Sequence, residues 1–195
     1  MKSVCVFCGA NTGNQPAYAQ AARATGEALA RRGLTLVFGG GRVGLMGALA
    51  AGARAANGRA IGVIPAALQQ KELAYEGADL TELVVVRSMH ERKARMAELA
   101  DGFVALPGGY GTFEEICEMI TWAQLGIHRK PCGLVNVDGY FDGLLAQFDR
   151  AVADDLLRAP HRDLVVAAPD PDGLLDAMAA WRAPPLEFKL DWQST

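Results

Sequence analysis

Short runs of β-branched and apolar residues alternate along this chain with longer segments of helical period, and that alternation constrains the fold more than any other feature. The apolar runs fall at 3–8, 34–39, 59–64, 82–87, 102–106, 132–137 and 163–167; the helical segments lie around 15–32, 44–57, 89–100, 112–126, 141–157 and 171–181. A helix between two such strands carries the chain back across the sheet, so consecutive strands run parallel. Runs such as Leu134-Val135 and Val165-Val166-Ala167 are apolar at consecutive positions, as a strand covered on both faces requires. The expected fold is therefore α/β: a doubly wound, Rossmann-like parallel sheet of about seven strands with helices on both faces. At 195 residues, with short loops and no composition shift to mark a linker, residues 1–195 are expected to form a single domain. The tail after Trp181, with Pro184-Pro185, reads as an extended or docking piece.

Composition narrows what such a sheet can bind. Hydrophobic residues make up 51% and charged residues 21%, enough apolar surface for a real core, so disorder is excluded. A net charge of -3 and a pI near 5.6 provide no field to hold a polyanion, and nucleic acid is not expected as a partner. A small anion in a local basic pocket remains compatible. The N-terminus carries one lysine and an apolar stretch too short for a secretion signal, and runs such as 83–86 are strand length, so a cytoplasmic protein with no membrane partner is expected. Cys5 and Cys8 are spaced as in zinc and thioredoxin motifs, but three residues apart on a strand they face opposite ways, which suits a structural role. His90, His128 and His161 have no ligand spacing with one another or with the cysteines, and no metal is expected.

In doubly wound folds the ligand sits at the carboxyl ends of the strands. Three loops there carry chemistry. Gly39-Gly40-Gly41-Arg42-Val43-Gly44 fits the dinucleotide fingerprint between a strand and a helix, yet Val63-Ile64-Pro65 stands where the ribose-binding acid belongs, and a nicotinamide enzyme is disfavoured. The run is then a tight packing turn or a loop that lets backbone approach a nucleotide, with Gly41, Gly44 and Met46 as its contacts. Pro107-Gly108-Gly109-Tyr110-Gly111-Thr112 leads from a strand into a helix, where converging amides and the helix dipole suit a phosphate. No Gly-Lys-Ser/Thr follows, so it is not a Walker loop. Thr112 and Glu115 fit a capping box equally well, although Glu115 and Glu118 share a helix side at the sheet edge, where a carboxylate would face the crevice. The third segment, Met89-His90-Glu91-Arg92-Lys93, opens a helix directly after a strand; its cations form either a solvated face or part of an anion cradle.

Taken together, these blocks resemble the LOG (Lonely Guy) cytokinin-activating phosphoribohydrolases, a family also described as possible lysine decarboxylases. The likeness covers nearly the whole chain and rests on Gly39-Gly40-Gly41 with Gly44-Leu45-Met46-Gly47, on Met89-His90-Glu91-Arg92-Lys93, on the segment from Pro107 to Glu115, and on Trp122-Ala123-Gln124-Leu125-Gly126-Ile127-His128. The resemblance implies hydrolysis of the N-glycosidic bond of N6-modified adenosine 5'-monophosphates to free base and ribose 5-phosphate, without a cofactor. It puts the catalytic pair on Arg92 and Glu115. It puts nucleotide contacts on Lys93, on Gly109, Tyr110, Gly111, Thr112, Phe113 and Glu114, on Thr121, and on Glu72 in Lys71-Glu72-Leu73; Met89 and Gly108 fall beside them. A homodimer is implied, and the apolar residues Ile116, Met119, Ile120, Trp122 and Leu125 on one helix agree with self-association. Pyridoxal decarboxylation needs a Schiff-base lysine beside an acidic partner, and no lysine of this sequence has that setting. The alternative from another class is a non-catalytic nucleotide or molybdenum-cofactor carrier of the same fold, which has no need of the Arg92–Glu115 pair.

Overall fold

The computed structural model describes residues 1–69 and 80–185. Seven strands, β1 (Ser3–Phe7), β2 (Thr35–Phe38), β3 (Ala60–Pro65), β4 (Glu82–Val86), β5 (Phe103–Ala105), β6 (Cys132–Val135) and β7 (Val165–Ala168), form one sheet in the order β4-β3-β2-β1-β5-β6-β7. Every pairing is parallel, with Val6 beside Phe38 on one side and Val104 on the other. The connecting helices are α1 (Pro16–Arg31), α2 (Gly44–Ala55), α3 (Met89–Leu99), α4 (Tyr110–Leu125), α5 (Asp142–Ala153), α6 (Ala159–Arg162) and α7 (Pro171–Ala180).

The period-two alternation of the central strands sorts their side chains into two cores. Val4, Val6, Leu36, Phe38 and Val104 pack under α1, α2 and α7, whereas Cys5, Phe7, Val37, Phe103 and Ala105 pack under α3, α4 and α5. Cys5 and Cys8 accordingly belong to opposite faces, and all four thiols are free. The α1–α2 pair approaches at backbone distance: a Cβ on Gly26 would lie 2.1 Å from the Leu49 carbonyl oxygen, and one on Gly52 would lie 2.0 Å from that of Arg23. Those two glycines are fixed by packing.

Ends of elements follow local chemistry. Asp170 caps α7 by accepting from the Gly173 N–H, with Pro171 in the first turn. Gly126, at φ 81°, closes α4 with a left-handed residue, and the Ile127 N–H reaches back to the Trp122 carbonyl. The sixth strand is shorter than its apolar run suggested, because Val137–Gly139 turns into a 3-10 segment with Asp138 at φ 49° and Gly139 at φ 75°. That turn and the short α6 were not visible as periodicity. His128, on the loop after α4, packs against the Phe103 ring and is pushed down to about 4 by burial, then by Lys130, against a bond with the Met119 backbone.

Candidate active site

The chain winds from β1 outward to β4 and then crosses back beyond β1 to lay down β5. Loops leaving the carboxyl ends of β1 and β5 therefore diverge, which opens a crevice between them. It holds about 580 Å³ and is walled by residues 8–13 after β1, by Gly39, Leu45 and Met46, by Met89, Arg92 and Met96, by residues 107–109, 111 and 112, and by Glu115, Tyr18, Leu68 and Tyr140. Backbone bonds lace the walls together: the Gly9 N–H donates to the Pro107 carbonyl at 3.1 Å, and the Leu45 N–H donates to the Gly9 carbonyl at 3.1 Å. Gly44, at φ 63°, lets this happen, since a Cβ there would fall 2.0 Å from the Ala10 carbonyl oxygen.

Arg92 lies in the floor of the crevice, 6% exposed. Its helix is capped by Ser88, whose Oγ accepts from the Glu91 N–H at 3.1 Å, and the Glu91 carboxylate reaches back past the cap to accept from the Arg87 N–H at 2.8 Å. One turn in, the Arg92 side chain crosses beneath two strands: Nε donates to the Val63 carbonyl at 3.1 Å and Nη2 to the Gly39 carbonyl at 3.2 Å. A buried guanidinium needs such partners, and these fix its plane. Gly39 is a glycine for this reason, because a Cβ there would lie 2.1 Å from Nη2 and 2.9 Å from Met46 Sδ. The first glycine of the fingerprint thus makes room for an arginine, and Val63, standing where a dinucleotide site would put its acid, supplies a carbonyl to it.

The second glycine loop departs from a simple capping box. Helix α4 starts at Tyr110 with Gly109 as its N-cap, and no side chain caps it. Thr112 is therefore the third helical residue and Glu115 the sixth, so neither occupies the cap position that a Thr-x-x-Glu box assigns. The N–H groups of the first turn have no partner within the helix, and an anion can take them. Gly108 is required by packing, since a Cβ would fall 2.1 Å from Thr112 Oγ1 and 2.9 Å from the Gly9 nitrogen. At Gly109 and Gly111 a Cβ would meet nothing within 4 Å, so the protein itself does not demand a bare backbone there. That space is on offer to a ligand. Glu115, half-buried, projects into the same crevice one turn further on.

The Cys8 thiol reports on both charges. Burial first, and then the negative charge of Glu115, push it far above the ordinary thiol range, while the positive charge of Arg92 pulls the other way. A thiol so raised is protonated at neutral pH, an inert wall rather than a nucleophile.

Several residues singled out from the sequence stand elsewhere. Lys93 bridges α3 to α4 through Glu114 and through Glu118 at 3.1 Å; burial works against its charge, but the two carboxylates outweigh burial and hold the ammonium above its ordinary pKa. Among the described residues no lysine lines the crevice, which leaves no Schiff-base candidate for a decarboxylase there. Thr121 Oγ1 donates to the Cys117 carbonyl at 2.7 Å, Phe113 stacks on Tyr140 and meets Phe141 edge-on, and Tyr110 is 95% exposed. Gly41 and Gly44 lie behind the lining, and Glu72 falls outside the described residues. Conversely, the sequence reading passed over Gly9-Ala10-Asn11-Thr12-Gly13 after β1, together with Tyr18 and Tyr140. A turn-rich segment between a strand and the Pro16 helix start was the available signal.

With this geometry in view, the comparisons with known proteins are decisive for family. A family described as possible lysine decarboxylase matches residues 46–178. A rice (Oryza sativa subsp. japonica) protein named probable cytokinin riboside 5'-monophosphate phosphoribohydrolase LOGL1 is 51% identical over 90% of this chain and 78% of its own length. The chain belongs to the LOG family. LOG5 of Arabidopsis thaliana, named a cytokinin riboside 5'-monophosphate phosphoribohydrolase, is 46% identical over 93% of this chain and 78% of its own. The molybdenum cofactor carrier protein of Chlamydomonas reinhardtii superposes with a TM-score of 0.67 at 21% identity, covering 91% of this chain and 95% of its own, which shows a shared fold alone.

Proposed function

We propose that this LOG-family protein hydrolyses the N-glycosidic bond of N6-modified adenosine 5'-monophosphates such as isopentenyladenosine monophosphate, releasing the free base and ribose 5-phosphate. The observation that carries the reading is one crevice holding both an uncapped, glycine-rich helix start and, beyond it, a carboxylate and a buried guanidinium. A phosphate on the amides of 109–112 anchors the nucleotide, and its binding energy positions the ribose over Glu115. As the C1'–N9 bond stretches, positive charge builds on the ribose, and the Glu115 carboxylate stabilises it and orients the attacking water. The water oxygen bonds to C1', the bond electrons leave with N9, and the base takes up a proton. Arg92 holds its place through the Val63 and Gly39 carbonyls and sets the charge and orientation around Glu115 and the ribose hydroxyls. No step calls for a cofactor or a metal.

The reading includes a cytoplasmic homodimer of single-domain chains. Among the described residues no helix is long and apolar enough to cross a membrane. Val85 on β4, Met89 at the start of α3, and Leu125 and Ile127 at the end of α4 keep 41–48% of their surface exposed, apolar surface that a second copy would cover. Sedimentation is expected to give a dimer at micromolar protein; a monomer throughout would overturn that part.

Chromatography of free base tests the activity itself. Isopentenyladenosine monophosphate and AMP are expected to release base, and the nucleosides lacking phosphate to react at least about a hundredfold more slowly in kcat/KM, the equivalent of one or two charge-assisted hydrogen bonds. Equal turnover of adenosine and AMP would remove the phosphate anchor from the account, and tight nucleotide binding without base release would return the protein to the carrier class.

A further inference from the structure

The crevice is also lined by a residue from beyond β6, three strands along the sheet from the β2 end where Arg92 is held. Tyr140 follows the tight turn at Asp138 and Gly139, and that turn is locked by Asn136, whose Oδ1 accepts from the Phe141 N–H at 2.7 Å and whose Nδ2 donates to Asp142 at 2.7 Å. Its ring is held on three sides: edge-on to Tyr18 at 5.4 Å, parallel to Phe113 at 6.3 Å and edge-on to Phe141 at 5.1 Å. This leaves the hydroxyl with one task. It donates to the carbonyl of Gly108, in the middle of the glycine loop.

We propose that Tyr140 is a positioning residue for the substrate's phosphate, fixing through the Gly108 carbonyl the direction in which the loop amide of Gly109 points. This rests on the reading of 109–112 as the phosphate cradle. A peptide unit is planar and trans, so the N–H of Gly109 is directed opposite to the Gly108 carbonyl, and holding one aims the other. At the Gly109 end no side chain packs against that plane, since a Cβ would meet no atom within 4 Å, and the Phe113 N–H ties only the carbonyl of the next peptide, that of Gly109, at 3.1 Å. Glycine leaves the loop free to receive an anion but also free to rotate. Tyr140 removes the rotation, so the donor is set before the anion arrives and no ordering is required on binding.

Tyr140→Phe separates the hydroxyl from the ring, since it keeps the stacking on Tyr18, Phe113 and Phe141. In the full-length protein the variant is expected to bind inorganic phosphate and ribose 5-phosphate about two- to twelvefold more weakly by calorimetry, the range for one lost hydrogen bond. KM for the monophosphate should rise by a similar factor while turnover of the phosphate-free nucleoside stays unchanged and the melting temperature falls by no more than about 2–4 °C. Unaltered phosphate binding, or an equal loss on nucleotide and nucleoside, would overturn the proposal, as would a wild-type protein that binds no phosphate. The calorimetry needs no catalysis, so base release failing in the wild type while Tyr140→Phe still weakens phosphate would strike the hydrolase reading and leave this one standing. Tyr140→Leu, which strips the ring as well, serves as the comparison for a purely structural loss.

Discussion

Glu115→Gln is expected to lower kcat for base release by about three orders of magnitude or more while leaving the melting temperature within about a degree or two of the parent. The two halves of that result discriminate between the roles this residue could have. As a partner in a capping box, Glu115 would contribute about 1 kcal/mol to the start of α4, and its loss would appear as a lower melting temperature with catalysis only mildly affected. The structure places the cap at Gly109 and Glu115 in the second turn, on the crevice wall. Glutamine matches the shape and can still accept a hydrogen bond, but it carries no charge to set against a ribosyl cation and cannot take a proton from water. Phosphate binding should be retained, because the amides of 109–112 are untouched. A variant that keeps its activity and melts early would return Glu115 to a structural role.

The comparison between Thr112–Glu115 and Ser88–Glu91 shows what short patterns disclose. Both segments read Ser/Thr-x-x-Glu at the start of a helix after a strand, yet only Ser88 stands at the cap position and accepts from its Glu N–H. The difference lies upstream: Gly108-Gly109 lets the chain begin helix two residues before Thr112, whereas nothing before Ser88 allows an earlier start. Periodicity captured the seven strands and six of the helices, since burial on two faces writes itself directly into the order of apolar residues. With the family resemblance putting the catalytic pair on Arg92 and Glu115, the carboxyl-edge rule singled out the three loops whose residues, among them Met46, Met89 and Gly108, line one crevice with that pair. It could not tell which side of a helix turns inward. Lys93, next to Arg92, rotates by about 100° around the helix axis and so meets Glu114 and Glu118 rather than the crevice. Nor do long-range contacts leave a local trace: the lock of Arg92 on Gly39 joins residues 53 apart, and that of Tyr140 on Gly108 joins residues 32 apart.

The Gly39–Arg92 contact carries the second large effect. Gly39→Ala adds one methyl group at a backbone conformation that alanine adopts without strain, so a conventional glycine account predicts little consequence. Here that methyl would sit 2.1 Å from Arg92 Nη2 and 3.3 Å from its Cζ, well inside contact distance, and the guanidinium has to leave the Gly39 carbonyl. Displacement by about 1 Å at a catalytic group can cost about a hundredfold in rate, and a fall in kcat of about that size or more is expected, with a much smaller effect on phosphate affinity. Arg92→Ala should lose at least as much. The double variant decides whether the glycine acts through the arginine: if it does, adding Gly39→Ala to Arg92→Ala changes kcat by less than about threefold, because the group the methyl would have displaced is already gone. Additive losses would mean that Gly39 serves the site by another route, such as direct approach of the nucleotide to its backbone. The first fingerprint glycine, which in dinucleotide enzymes makes the tight turn, would then serve the nucleotide loop directly, whereas coupling near complete would show the same position turned to holding a catalytic side chain.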